Sequence, residues 1–149
     1  MIRIRIQLDP ARGLLATLAA RLAQPGVLLQ PAVSIVAGAI ERNFDEEGRP
    51  LPWPPLVPAT LRRKPAGLKI LERTGRLRRS IQMHLEADRL VAFTDLPYAA
   101  AHQFGSPRRR LPARPFLVLT PDDTEQVGQS VADSLSSTSR ESRNTSRAL

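Results

Sequence analysis

His84 and His102 are the side chains of this sequence best suited to move a proton near neutral pH. Neither has a carboxylate, a cysteine or a second histidine at ligand spacing, so both read as structural or surface groups. Asp45, Glu46 and Glu47 form the densest group of acids. A cation site wants oxygen ligands from spaced positions on a rigid frame. Three adjacent acids at a point where a helix gives way to prolines read instead as a solvated helix end. Gly67 and Gly75 lack the spacing and the preceding strand of a phosphate loop. Serines crowd only into the C-terminal segment, with no nucleophile elbow. No catalytic, cofactor-binding or metal-ligating residue is assigned, and the chain is not read as an enzyme.

The remaining chemistry is cationic. Arg62, Arg63, Lys64, Lys69, Arg73, Arg76, Arg78 and Arg79 fall in one segment, and Arg108, Arg109, Arg110 and Arg114 in another. Phosphate contacts could use them. Aromatic residues make up only 4% of the chain and do not interleave with the arginines, so no stacking platform for single strands is apparent. An acidic protein surface matches the clusters as well as DNA does, and about half of such charges are ordinary solvated surface. Trp53, the sole tryptophan, stands among prolines. It is either an exposed anchor for a partner or a core plug beneath a long loop. Tyr98, Phe104 and Phe116 flank the arginine loop and read as buried anchors.

The elements that must position these groups follow from periodicity and punctuation. Ile2, Ile4, Ile6 and Leu8 alternate with Arg3, Arg5 and Gln7, a strand pattern. Asp9-Pro10 opens a helix with Leu14, Leu15, Leu18 and Leu22 on one stripe, and Pro25-Gly26 stops it. A second helix is predicted from about Pro31 to Asp45. The run from Glu46 to Pro58 is too rich in proline for a regular element, and a short turn starts at Pro58. Thr74 is expected to cap a short helix. Ile81–Glu86 and Arg89–Thr94 read as a hairpin. A helix from Tyr98 to Gln103 should stop at Gly105. Phe116–Leu119 reads as a last strand, and Thr120-Pro121-Asp122-Asp123 as the N-terminus of a final helix. The fold class expected is α+β. A domain is placed over 1–135, with a polar, flexible tail over 136–149.

Bulk composition agrees. The chain has 149 residues, enough for one domain with a modest core, and a net charge of +8 calls for a neighbour of opposite sign. Without cysteine there is no disulfide or thiolate metal site. The alternating N-terminus does not read as a signal peptide, and no run reaches the roughly 20 apolar residues that span a bilayer. The expectation is a protein made in a cytoplasm, with no membrane partner.

Read in order, several blocks carry a resemblance. They are Asn43-Phe44 with Gly48, Trp53-Pro54-Pro55-Leu56, Pro58-x-Thr60, Ile70-Leu71 and Thr74-Gly75-x-Leu77-x-x-Ser80-Ile81. Tyr98-Ala99, His102-Gln103-Phe104-Gly105 and Pro112-Ala113-Arg114-Pro115-Phe116-Leu117 complete the set. Together they resemble the phage virion morphogenesis (tail completion) family of Mu-like and P2-like phages. The resemblance covers roughly Phe44 to Asp123. It implies a structural virion protein without enzymatic activity. It also implies a ring, expected to be of six subunits, at the head–tail junction, assembled in the host cytoplasm. Other neck and tail proteins become expected partners, and non-specific contact with genomic DNA in the channel is allowed. Phe44, Thr74, Gly75, Tyr98, Phe104, Gly105, Pro112, Pro115 and Phe116 become the structural signature. Trp53, Arg108, Arg109, Arg110 and Arg114 become the candidate interface residues. A basic DNA-binding protein that acts without a ring is the alternative.

Overall fold

The computed structural model describes residues 2–5, 25–63, 66–86 and 89–146. The helix expected over 9–22 lies outside them. Strand β1 (Ile2–Arg5) is followed among the described residues by helix α1 (Pro25–Asp45) and the short turns α2 (Pro58–Leu61) and α3 (Arg76–Arg79). Then come β2 (Gln82–Leu85), β3 (Leu90–Thr94), α4 (Ala99–Phe104), a 3-10 turn over Pro107–Arg109, and α5 (Pro121–Ser146). The fold is α+β.

The three strands form one antiparallel sheet in the order β1-β3-β2. Ile2 faces Thr94 and Arg5 faces Val91 on one side of β3, while Gln82 faces Phe93 and Leu85 faces Leu90 on the other. The predicted hairpin is present. On β2 the alternation places Met83 and Leu85 against the core and leaves Gln82 and His84 exposed. Central β3 is buried at Leu90, Val91, Ala92 and Thr94, as a strand flanked on both edges should be.

Helix α1 begins at Pro25, not near Pro31, because Pro25-Gly26 opens this helix. Proline at a first helical position loses a donor that has no partner there anyway, and its fixed φ suits the helix. Leu29, Ala32, Val36, Ile40 and Phe44 recur at helical spacing and are buried. Val127 and Val131 of α5 join the same core, together with Leu77, Ala99, Phe116 and Leu117. Phe44 sits at its centre. Trp53 meets it edge-on at 5.7 Å and 84°, and Phe116 tilts against it at 5.7 Å.

Two local expectations change. Gly75, with φ of 65°, takes the N-cap position of α3, and Thr74 Oγ1 accepts the Arg76 N–H at 3.3 Å from one residue further out. Residues 116–119 form no strand. Their main chain is held by side-chain amides instead. Gln103 Oε1 accepts the N–H groups of Phe116 and Leu117, both at 3.0 Å, and Gln103 Nε2 donates to Leu117 O at 3.2 Å. Asn43 Nδ2 donates to Phe116 O at 3.0 Å and to Val118 O at 2.9 Å. Two amide side chains therefore satisfy the buried backbone groups that a neighbouring strand would otherwise satisfy.

Helix α5 starts where the sequence places it. Thr120 Oγ1 accepts the Asp123 N–H at 3.2 Å while Asp123 Oδ2 accepts the Thr120 N–H at 2.9 Å, a reciprocal cap. The helix then runs to Ser146, past the point near Ser136 where the sequence suggests it ends.

Candidate assembly surface

Two loops build the candidate surface, and each is shaped by residues that permit only one path. Gly105 ends α4 with φ of 78° and ψ of 171°. A Cβ there would stand 2.9 Å from Ala113 N and 3.1 Å from Leu111 O, so only glycine fits. Ser106 and Leu111 then pair across the chain, N–H to O at 2.8 and 3.0 Å in the two directions. Between them Pro107–Arg109 makes its single 3-10 turn and Arg110 adopts a left-handed conformation with φ of 50°. Arg108, Arg109 and Arg110 form the exposed tip of this closed knuckle, and they make no ion pair among the described residues.

The second loop follows α1. Gly48, at φ of 117°, lets the chain turn back so tightly that a Cβ would sit 2.6 Å from Trp53 N. Its N–H is held by Asn43 O at 2.8 Å, and Trp53 N–H is held by Glu47 O at 2.7 Å. Trp53 is thereby driven inward and is only 5% exposed. Of its two readings, the core plug is the one adopted. Its indole N–H donates to Pro115 O at 2.9 Å.

Arg114 fastens the two loops from the other side. It is only 3% exposed, so it is not a free surface charge. Its backbone N–H donates to His102 O at 2.7 Å. Its guanidinium donates from Nε to Pro54 O at 2.9 Å and from a terminal nitrogen to Pro55 O at 3.1 Å. Prolines have carbonyls but no N–H, so this run can only accept, and a guanidinium can only donate. The pairing expected between Arg114 and an acid on a neighbour is replaced by this internal clamp. Burial lowers the pKa of Arg114. Burial, then the Arg114 charge, lowers that of His102. Its ring stands edge-on to half-buried Tyr98 at 5.9 Å. His84 is exposed on β2, and no group of three or more metal-capable side chains converges among the described residues.

Phe104 corrects a further expectation. It is 66% exposed, not a buried anchor, whereas Phe116 is fully buried. The other large exposed apolar side chains among the described residues are Leu51, at 77%, with Val57, Leu61 and Leu68. All lie on the segment that begins with the proline loop. Pro112 and Pro115 are exposed. A sequence signal for this surface exists in what is missing. There is no Asp or Glu from Gly48 to Leu71, nor from Leu96 to Pro121. The two cross-braced segments thus join apolar and cationic groups with no acid of their own.

Elsewhere Arg78, Arg42 and Arg49 are paired with acids. Arg78 donates to Glu41 and Glu72, each at 2.6 Å, and to Asp45 at 2.9 Å, and it lies 5.8 Å from the Phe44 ring centre. Its hydrogen bond to Glu41, then those to Glu72 and Asp45, raise its pKa further. Arg42 and Arg49 both reach Asp123 Oδ1, at 2.7 and 3.1 Å. Burial would raise the Asp123 pKa, but hydrogen bonds from Thr120, Arg49 and Arg42 outweigh it and hold the carboxyl well below the usual range.

Fold and surface together define a small α+β protein with two braced loops that expose apolar and cationic side chains. Its sequence matches the phage virion morphogenesis family over residues 6–136. It is 33% identical over 139 residues to the Mu-like prophage FluMu G protein 2 of Haemophilus influenzae, an alignment covering 87% of this chain and 94% of that relative. No solved structure matches it. The chain belongs to the phage virion morphogenesis family, which gives it a role in building the virion.

Proposed function

We propose that this protein is a non-enzymatic subunit that forms a ring at the head–tail junction of the virion and makes the tail competent to join the head. Six copies and an open channel for DNA are part of this reading. The observation that carries it is the contact face itself. Leu51, Val57, Phe104 and Arg108–Arg110 all stay in water, on two chain segments tied to each other by Trp53 and Arg114. Side chains of this kind on a pre-shaped support lose little freedom when a partner covers them. Family membership supplies the virion context.

The test is a phage lysate in which this gene is silenced, viewed by electron microscopy. Filled heads and finished tails should accumulate separately, and added purified protein should join them. Joined, infectious particles without the protein would overturn the reading. Duplex DNA titration at two salt concentrations addresses the alternative. Tight, salt-sensitive binding by a single chain would favour a nucleic-acid role.

A further inference from the structure

The described surface holds a second face whose chemistry is opposite to that of the knuckle. An open groove runs between α1 and α5, lined by Pro31 and Ile35 from one helix and by Gln126, Gln129, Ser130 and Asp133 from the other. Pro31 and Ile35 give it an apolar side. Along α5 the acids continue the same line, since Asp122 stands four residues before Gln126 and Glu125 four before Gln129. Asp122, Glu125 and Asp133 are exposed. None of the three makes an ion pair among the described residues, and Asp133 accepts a hydrogen bond from Gln129 at 3.0 Å.

We infer that the α1–α5 groove of one copy receives Phe104 and the Arg108–Arg110 tip of the next copy. This rests on the ring reading and names its interface. Phe104 is one of the large apolar side chains left in water, and half-buried Pro31 and Ile35 give the groove an apolar side to receive it. The three arginines of the tip match in number the three carboxylates, Asp122, Glu125 and Asp133, that make no ion pair among the described residues. The acid-free knuckle cannot pair with itself, and neither can the acid-rimmed groove. Contact between unlike faces passes each subunit on to another, which is the arrangement a ring requires. Charge complementarity also favours this register over knuckle-to-knuckle pairing, where like charges would meet.

Two full-length variants test it by sedimentation and negative-stain microscopy. One carries Arg108→Glu, Arg109→Glu and Arg110→Glu. The other carries Glu125→Lys and Asp133→Lys, and leaves the α5 cap intact. Each alone should run as a smaller species than wild type, since its two faces now repel. An equimolar mixture should recover the wild-type mass, because each altered face then finds its opposite. Misfolded chains would not recover on mixing, and circular dichroism checks the fold directly. Phe104→Ser should weaken assembly without altering charge.

Variants that assemble like wild type would overturn this interface and leave the ring reading standing. Wild-type protein that never exceeds the single-chain mass, alone or on purified tails, would overturn both. Unchanged assembly with loss of duplex DNA retention in the arginine variant would assign the tip to nucleic acid and also overturn the inference.

Discussion

The latch at Trp53 and Arg114 and the cluster around Arg78 use the same kinds of group to different ends. At the latch, an arginine and an indole donate to neutral main-chain carbonyls, and both side chains are buried. Around Arg78, one guanidinium serves three carboxylates, of which Glu41 and Asp45 are about half exposed. Carbonyl acceptors carry no net charge, so salt does little to the latch. Exposed carboxylates are screened by ions and hydrated by water. The latch fixes loop shape, and the Arg78 cluster ties α3 to the outside of α1. Stability should therefore depend much more on the first.

The comparison breaks if Trp53 is dispensable. Trp53→Ala removes a large core aromatic and the bond to Pro115 O, and should cost about 3–5 kcal/mol in urea unfolding. The loss should be nearly the same in low and high salt. A loss below about 1 kcal/mol would mean the proline loop is held by something else.

Asp123 lies between the two cases, since it is buried yet paired with arginines. Its folded pKa is depressed, so its contribution is present above the unfolded value near 4 and is lost as acid protonates the folded carboxyl. Asp123→Asn should cost about 2 kcal/mol at neutral pH. The gap to wild type should close as the pH falls well below about 4. An equal gap in strong acid would show that the cap geometry matters and the charge does not.

The smallest effect should come from Arg78→Ala, about 1 kcal/mol or less at low ionic strength. That loss should shrink in concentrated salt, where Trp53→Ala does not change. A large, salt-independent loss would move Arg78 into the same class as the latch and trace its value to packing on Phe44.

What the sequence reveals about this fold follows the range of the interactions. The β2–β3 hairpin, the stop at Gly105 and the cap of α5 are each set by residues within a few positions of one another, and all three are read correctly. Residues 116–119 look like a strand because they are apolar and extended. Their actual partners are Asn43, more than 70 positions away, and Gln103. Arg114 looks like an exposed charge because its acceptors are carbonyls 60 and 59 positions back, and a carbonyl leaves no mark on composition. Phe104 looks like core because the residue type usually is, and only the position of α4 shows its ring in water. The arginine tip is plain in the sequence, as three consecutive arginines between prolines. The groove proposed to receive it depends on two helices meeting, which no single stretch of sequence reports.

The closure of the knuckle has a consequence for how such a protein can diversify. The bonds that shut it run from main chain to main chain between Ser106 and Leu111. No side chain of Arg108, Arg109 or Arg110 takes part in them. Arg108 and Arg109 can thus be exchanged, in charge or in size, while the bridge beneath them stays the same, and position 110 is held to residues that tolerate its left-handed backbone. If the tip meets a neighbouring copy as proposed, exchanging Arg108 and Arg109 would alter which neighbour is accepted with no change to the architecture that presents them.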